Sequence, residues 1–219
     1  MTVVRSLKVD LGYVRAAESW KAFATKPTES IAISRAGFML GKDGCLYGVA
    51  TNRYSIVAYR LNAGQFSATG FAEGEYYTVP FTLLSSFVAS TKSNKNVDVF
   101  VNIEWIDEDY TSVSISGAGA MSQEPCSNAS FPKVLGLLDK TPARNGYPTA
   151  GVNITQLGLL SKVRTKKLAK VSEQWTMTAT DSQTPDKMGP FVFTNKDDVD
   201  VVVLCQPHTN TVDYVNWNV

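Results

Sequence analysis

The chain has 219 residues and a hydrophobic content of 44%, enough to bury the core of one large domain or two small ones. Its 21 basic and 20 acidic residues nearly cancel, so bulk charge alone argues against a protein that coats nucleic acid or a membrane. No apolar run approaches the roughly 18 residues of a membrane span, and the first residues lack the apolar block of a signal peptide. The three cysteines are widely spaced, which favours reduced thiols in a cytoplasm over a disulfide framework or a zinc site.

Hydrophobic periodicity predicts a first unit that mixes strands with two helices. One helix is predicted over 11–26 and ends at Pro27, and a second begins at Pro80, a plausible first helical position. The strands predicted in this unit are 3–10, 30–40, 45–51, 54–61, 97–106, 110–116 and 120–128. This alternation of strands and short helices indicates an α+β fold.

A second, shorter unit is predicted after a stretch that contains two prolines and a glycine. We expect a complete unit over 1–139, a linker over 140–150 and a shortened unit over 151–219. The shortened unit has a helix predicted from about 155 to at least 163, followed by strands at 174–180, 190–195 and 199–205. A helix followed by strands also makes up the second half of the first unit, which indicates an internal structural repeat.

Residues that could support catalysis are few. His208 is the only histidine, so a Ser-His-Asp triad or a multi-histidine metal site has one candidate. No glycine-rich phosphate loop is present. Asp107, Glu108 and Asp109 could hold a hard cation, but they lie between two predicted strands, where a solvated hairpin turn is the other interpretation. The sequence therefore predicts a protein that is not an enzyme and uses no cofactor or metal, with a metal-dependent enzyme at Asp107 and Asp109 as the remote alternative.

The neutral total hides a segregation of charge along the chain. Residues 97–131 contain six acids and no Lys or Arg, whereas residues 140–172 contain seven bases and no acid. A third helix that runs on to 170 places Lys162, Lys166 and Lys170 on one face, and the alternative is a helix that ends near 164. Bases on or near the predicted helices either form solvated faces or together face a polyanion through sequence-independent phosphate contacts. These bases are Arg15, Lys21, Lys26, Lys92, Lys95, Lys162, Arg164, Lys166, Lys167 and Lys170.

Four segments, taken in order, resemble motifs of the bacterial-type beta sliding clamps of DNA replication. They are GVATNRYSIV at 48–57 against "ATDGHRLA", TVPF at 78–81 against "VP…L", SFPK at 130–133 against "FPDY", and 189–205 against the last hairpin, which ends in "MPMR". The resemblance implies a clamp fold, with antiparallel sheets outside and basic helices that line a channel for duplex DNA.

The same resemblance implies a pocket in which short peptides of polymerases and other clamp partners dock. By position the pocket would be formed by Thr51, Arg53, Tyr54, Ser55, Ile56, Leu138, Val202, Val203, Leu204, Cys205, Gln206 and Pro207. This chain departs from the family at "GHRL", which is replaced by Arg53–Ile56, and at the proline of "MPMR", which is replaced by Cys205.

The function implied is a processivity clamp, a homo-oligomeric ring that encircles DNA and serves a polymerase, with a clamp loader as a further partner and no membrane contact. A chain this short would suit a phage-encoded clamp in the cytoplasm of its host. The alternative is a clamp-fold adaptor or decoy that binds a clamp or polymerase without encircling DNA. Its motive is QLGLL at 156–160, which resembles a clamp-binding peptide and is otherwise the apolar face of the third helix.

Overall fold

The computed structural model describes residues 3–106, 112–126, 130–135, 154–163, 175–181, 188–195 and 201–205. Within these ranges the chain forms two antiparallel sheets and a few short helices. The elements are β1 Val3–Asp10, α1 Leu11–Ser19 with a 3-10 turn at Trp20–Phe23, β2 Arg35–Leu40, β3 Leu46–Thr51, β4 Ser55–Leu61, β5 Ser67–Thr69, β6 Tyr76–Pro80, α2 Phe81–Ser90, β7 Phe100–Ile106, β8 Ser112–Gly117, β9 Ala120–Pro125, α3 Ile154–Leu160, β10 Trp175–Asp181, β11 Met188–Asn195 and β12 Val201–Cys205. The predicted α+β class is confirmed.

Strands from both predicted units share one sheet. The seven-stranded sheet has the order β10-β11-β12-β4-β3-β2-β6, and the five-stranded sheet has the order β5-β1-β7-β8-β9. β12 joins β4 through antiparallel pairs that run from Val201–Tyr59 to Cys205–Ser55. The linker predicted at 140–150 lies outside the described residues, so the division into two domains stays a prediction.

The first predicted unit consists of two halves that exchange strands. Each half has the order strand, helix, three strands: β1-α1-β2-β3-β4 and β6-α2-β7-β8-β9. β1 pairs with β7 of the other half, and β6 pairs with β2 of the other half. Because each first strand lies in the sheet of the opposite half, neither sheet is complete without both halves.

Both long helices begin directly at the end of a strand. Asp10 closes β1 and caps α1, since its Oδ1 accepts a hydrogen bond from the Tyr13 backbone N–H at 2.7 Å. The Leu11 N–H donates to the Val99 carbonyl at 2.8 Å, which ties the start of α1 to the segment before β7. Pro80 ends β6 in an extended conformation and is the cap of α2 rather than its first helical residue.

The main core fills the space between the two sheets and includes the inner faces of the helices. An aromatic group lies at its centre, where the Tyr13 ring contacts Trp20 and Tyr59 at centroid distances of 5.8 and 5.3 Å. Gly48 on β3 lies against this group, and a Cβ at this position would overlap the Tyr13 hydroxyl and the Trp20 ring. The glycine is therefore required by close packing.

The structure shortens several predicted elements and adds two strands. The helix predicted over 11–26 becomes α1 and a 3-10 turn that ends at Phe23, because the Ser19 hydroxyl bonds back to the Ala16 carbonyl at 2.6 Å and competes with the helix ladder. The strand predicted over 30–40 starts at Arg35, since Ser34 closes a turn onto Ile31. The helix predicted to reach at least 163 ends at Leu160 and is followed by a turn. β5 and β6 were not among the predicted strands, and β5 lies in a glycine-rich stretch.

Candidate functional site

Helices α1 and α2 lie side by side and run antiparallel. Glu18 of α1 accepts a hydrogen bond from the Ser85 hydroxyl in the middle of α2 at 2.9 Å. Arg15, one turn earlier in α1, reaches the far end of α2 and donates from Nη2 to the carbonyls of Thr91 and Asn94 at 2.6 and 2.9 Å. The two contacts place the C-terminal end of α2 beside the first half of α1.

The described bases lie mostly beyond the ends of helices rather than on helix faces. Lys21 is in the 3-10 turn after α1, where it forms an ion pair with Glu18. Lys92 and Lys95 are exposed in the loop after α2, and Lys162 is exposed in the turn after α3. Cations at these positions interact favourably with the partial negative charge of helix C-termini.

One of the sequence predictions about these bases needs correction, and a second base has a contact that the sequence did not predict. Lys26 was expected on the first helix, but it lies in a loop, because the chain has already left the 3-10 turn at Phe23. Arg15 is within α1, but its guanidinium bonds the end of α2, so the structure gives it a structural contact. A DNA contact of any of these bases stays a prediction, and the remaining members lie outside the described residues: Arg164, Lys166, Lys167 and Lys170.

Acidic side chains are not confined to the strands away from the helices. Glu124 of β9 accepts hydrogen bonds from the Thr82 hydroxyl of α2 at 2.8 and 2.6 Å, and Glu18 lies between Lys21 and Ser85. Each of these carboxylates is engaged by a neighbouring side chain. The local positive charge near α1 and α2 is therefore reduced at two points.

The turn between β3 and β4 is held by the side chains of Thr51 and Asn52. The Thr51 hydroxyl donates to the Ser55 carbonyl at 2.9 Å and accepts from the Arg53 N–H at 3.2 Å. The Asn52 carboxamide oxygen accepts from the N–H groups of Tyr54 and Ser55 at 3.1 and 2.8 Å. These bonds hold Arg53 at φ +78°, a left-handed conformation that costs a residue other than glycine about 1 kcal/mol or more.

This turn presents two large side chains to solvent beside the end of β12. Arg53 is exposed, and Tyr54 is 61% exposed. Ser55, the last residue of the turn, pairs with Cys205, the last residue of β12. The structure thus brings together two of the chain segments that the resemblance assigned to one pocket.

The pocket residues on these strands divide between the two faces of the sheet. Ile56 and Leu204 belong to a second apolar cluster on the face away from the main core, and Val202 shares their face by alternation. Val203 is fully buried in the main core, and Ser55 is also buried. Ile56 and Leu204 are themselves only 7% and 3% exposed, so of these three outer-face residues Val202, which is half-buried, is the most accessible. Leu138, Gln206 and Pro207 lie outside the described residues.

Residues 130–135, here called the strap, cover part of the second apolar cluster. The Phe131 ring packs against Gly37 and against the Tyr76 ring, with a centroid distance of 5.1 Å. The Leu135 N–H donates to the Tyr76 hydroxyl at 3.3 Å, and burial raises the pKa of Tyr76 to about 12. Ile56 and Leu204, close to the β3–β4 turn, belong to the same cluster and are also buried.

The sequence did not single out two features of this region. Asn52 sets the turn geometry, and its signal was the Thr-Asn-Arg run between two strands, since Asn side chains often bond to the backbone two residues on. The covering role of Phe131 had no local signal, because the side chains it contacts are distant in sequence.

Features typical of other functions do not form sites in the described part of the chain. No group of three potential metal-ligating side chains occurs there, and Asp107–Asp109 and His208 lie outside it. No described helix has the length and hydropathy needed to cross a bilayer. The QLGLL segment lies in α3, with Leu160 buried in the main core and Leu157 packed against it, which agrees with the helix-face interpretation.

No protein-family model matches the chain, and no curated protein matches it either. Solved structures do match. The DNA polymerase III beta subunit of Borrelia burgdorferi has a TM-score of 0.64 at 10% identity, and the alignment covers 96% of this chain and 64% of that one. The Thermotoga maritima beta subunit has a TM-score of 0.58 at 12% identity, and the alignment covers 96% of this chain and 66% of that one. The sliding clamp of Bartonella birtlesii has a TM-score of 0.58 at 14% identity, and the alignment covers 94% of this chain and 66% of that one.

The chain thus spans a little under two thirds of the length of these proteins. At such low identity the likeness concerns the fold, and it extends over nearly the whole chain. It confirms the fold that the four sequence segments predicted: this chain has the fold of the bacterial DNA polymerase III beta sliding clamps.

Proposed function

We propose that this protein is a DNA sliding clamp: a non-catalytic homo-oligomeric ring that surrounds duplex DNA and tethers a polymerase. The observation that carries the proposal is the fold, which matches a DNA polymerase III beta subunit over 96% of this chain. A clamp encoded by a phage would act in the cytoplasm of its host.

The bases near the helices support a DNA-facing surface. Lys92 and Lys95 extend from the C-terminal end of α2, close to Arg15, and Lys21 lies at the opposite end of the helix pair. Lysine ammonium groups attract phosphates without reading base sequence. Contacts of this kind suit a protein that must move along DNA, and they weaken as salt increases.

The β3–β4 turn and the outer face of β12 support a docking site for a polymerase peptide. Val202 offers a half-buried apolar side chain next to the buried Ile56 and Leu204, and the exposed Arg53 and Tyr54 lie at the turn beside them. Apolar anchors with a polar rim are the usual composition of a peptide-binding surface. An extended peptide with aliphatic anchors and an acidic residue opposite Arg53 would match this arrangement.

The encircling role is tested by measuring whether the protein stays bound to linear duplex DNA after both DNA ends are blocked. The protein is incubated with linear duplex DNA, on which rings thread from free ends without a loader, and both ends are then capped with a bulky bound protein. After a wash in high salt, a clamp is expected to remain on capped DNA and to be lost from uncapped DNA. The molar mass from light scattering is measured on the same sample.

Two outcomes would contradict the proposal. Equal loss from capped and uncapped DNA would mean that the protein does not surround the duplex. A monomeric protein at micromolar concentration would exclude a ring built from several copies of the chain. The shortened second unit motivates the alternative of a clamp-fold adaptor, and that alternative predicts a monomer that binds a clamp or polymerase and shows no effect of capping.

A further inference from the structure

Tyr76, the first residue of β6, attaches the strap to the seven-stranded sheet. Its ring packs against the Phe131 ring at a centroid distance of 5.1 Å, and its hydroxyl accepts a hydrogen bond from the Leu135 N–H at 3.3 Å. One side chain thus contacts the strap near both of its ends. Burial raises the pKa of Tyr76 to about 12, so the hydroxyl is neutral at physiological pH and the hydrogen bond does not vary with pH there.

Gly37 of β2 leaves space for this contact. A Cβ at Gly37 would lie 3.2 Å from both the Phe131 ring and the Tyr76 ring, which is closer than ordinary van der Waals contact. A glycine in the interior of a strand often marks a close approach of another segment to the backbone. The strap therefore lies directly on the sheet at this point, and Tyr76 and Gly37 together determine where Phe131 sits.

The strap also belongs to the apolar cluster that underlies the candidate docking site. Val134 and Leu135 are buried in the second apolar cluster together with Ile56 and Leu204. The other buried members of this cluster lie on strands β3 and β4, so among the described residues the strap is the part of the cluster outside the sheet. Because protein interiors are close-packed, a shift of the strap changes the packing of the side chains beneath the docking surface.

We propose that Tyr76 is a positioning residue of the docking site, which holds the strap where Val134 and Leu135 support Ile56 and Leu204 for the binding of an aliphatic peptide. Tyr76 acts through the strap rather than on the peptide, because β2 and β3 lie between β6 and β4 in the sheet. At a strand spacing of about 4.8 Å, β6 is about 14 Å from β4. The inference rests on the docking site proposed above and adds a residue that the motif resemblance did not include.

Removal of the Tyr76 hydroxyl tests this role. Tyr76→Phe keeps the ring that packs on Phe131 and removes the acceptor of the Leu135 N–H. The probe is a fluorescein-labelled peptide of sequence QLGLL, since the segment with this sequence at 156–160 resembles a clamp-binding peptide. We expect Tyr76→Phe to weaken its affinity by roughly two- to tenfold, the usual effect of one hydrogen bond on an equilibrium constant. Fluorescence anisotropy measures the affinity.

Tyr47→Phe is the matched control. Tyr47 is a partly buried tyrosine on β3 that shares the outer face with Tyr76, since Met39 of β2 pairs with both residues. Its hydroxyl donates to the Asp43 carboxylate in the β2–β3 turn at 2.6 Å. The control is expected to bind the peptide as wild type does. Urea unfolding of both variants separates the two roles, because a merely structural Tyr76 would change stability and leave the affinity unchanged.

Trypsin cleavage after Lys133 reports on the strap itself, because Lys133 is exposed and the next residue, Val134, is buried. Tyr76→Phe is expected to accelerate this cleavage at least about twofold, since loss of the hydrogen bond favours local opening, and Tyr47→Phe is expected to leave it unchanged. Mass spectrometry of the fragments measures the rate. Weaker peptide affinity with unchanged cleavage would overturn the inference, because the hydroxyl would then not act through the strap.

The inference and the encircling role can fail separately. Unchanged peptide affinity in Tyr76→Phe, or a wild type that does not bind the peptide, would overturn the role of Tyr76 even when wild-type protein is retained on capped DNA. If Tyr76→Phe weakens the affinity and accelerates cleavage while wild-type protein is lost from capped DNA, the role of Tyr76 stands and the encircling role does not.

Discussion

Arg53 adopts a left-handed conformation because its neighbours impose it. The side chains of Thr51 and Asn52 form four hydrogen bonds with the backbone, one donated and three accepted, and these hold the turn around Arg53. Strained residues of this kind persist where the surroundings over-determine them, and they are frequent at functional sites. The hydrogen bonds fix the directions in which Arg53 and Tyr54 leave the backbone, which would lower the entropic cost of binding if a partner docks there.

Replacing Arg53 with glycine separates its backbone cost from its side-chain function. We expect Arg53→Gly to raise the free energy of unfolding by about 0.5–1 kcal/mol, because glycine adopts positive φ without steric cost. If the guanidinium contributes to docking, the same change weakens the affinity for a polymerase peptide. Urea unfolding and fluorescence anisotropy with a labelled peptide measure the two effects.

Arg60→Gly is the matched control, since Arg60 is an exposed arginine at the next-to-last position of β4. Glycine in a strand is destabilising by about 0.5–1 kcal/mol, so the control is expected to change stability in the opposite direction. Equal destabilisation by the two substitutions would show that the backbone at Arg53 is not strained.

At the level of elements, α1 and α2 depend on each other and on the sheets. With 9 and 10 residues, neither is long enough to be stable alone in water. Arg15 connects the two helices by donating to the carbonyls of Thr91, which caps α2, and of Asn94 in the turn that follows. The arginine therefore contributes to the fold even if it also lies near DNA.

We expect Arg15→Ala to destabilise the protein by about 1–3 kcal/mol, because it removes two hydrogen bonds from a charged donor to backbone carbonyls. Lys21→Ala removes an exposed ion pair and is expected to change stability by less than about 1 kcal/mol. Thermal unfolding followed by circular dichroism compares the two. A similar small effect for both would mean that Arg15 does not anchor α2.

Sequence periodicity predicted the individual helices and strands well. It did not predict which strands of one half join the sheet of the other half. The apolar positions Leu83, Leu84 and Phe87 predicted α2, and they are buried as expected. Alternation along β7 and β8 predicted these strands. That β1 joins the sheet of the second half, and β6 that of the first, could not be predicted, because strand pairing depends on packing between distant segments.

The candidate docking site shows the same division between local and distant information. The resemblance of 48–57 and 189–205 to two clamp motifs placed the β3–β4 turn and β12 in one pocket, and their pairing in one sheet agrees with this. The motifs could not show which residues face outward. Val203 alternates into the main core, and only the register between β12 and β4 reveals that Ile56 and Leu204 share the other face.

For the whole molecule, the formal net charge of +1 says little about a nucleic-acid partner. What matters is where the charges lie. α2 itself carries no charged residue, and the bases Lys92 and Lys95 follow immediately after it, next to Arg15. Acidic residues elsewhere in the chain cancel these bases in the net charge. They lower the electrostatic potential near Lys92 and Lys95 much less, because charges separated by more than roughly 8–10 Å are screened in physiological salt.

If this group of bases faces DNA, the double variant Lys92→Glu/Lys95→Glu weakens binding to a short duplex and flattens its salt dependence. Each lost phosphate contact reduces the slope of log affinity against log salt by about 0.9, so we expect a decrease of about 2. Lys42→Glu alters an exposed lysine in the β2–β3 turn and should leave the slope unchanged. Fluorescence anisotropy at several salt concentrations measures both. Equal slopes for the double variant and wild type would place the DNA on another surface, because a lysine that contacts phosphate must release a counterion when it binds.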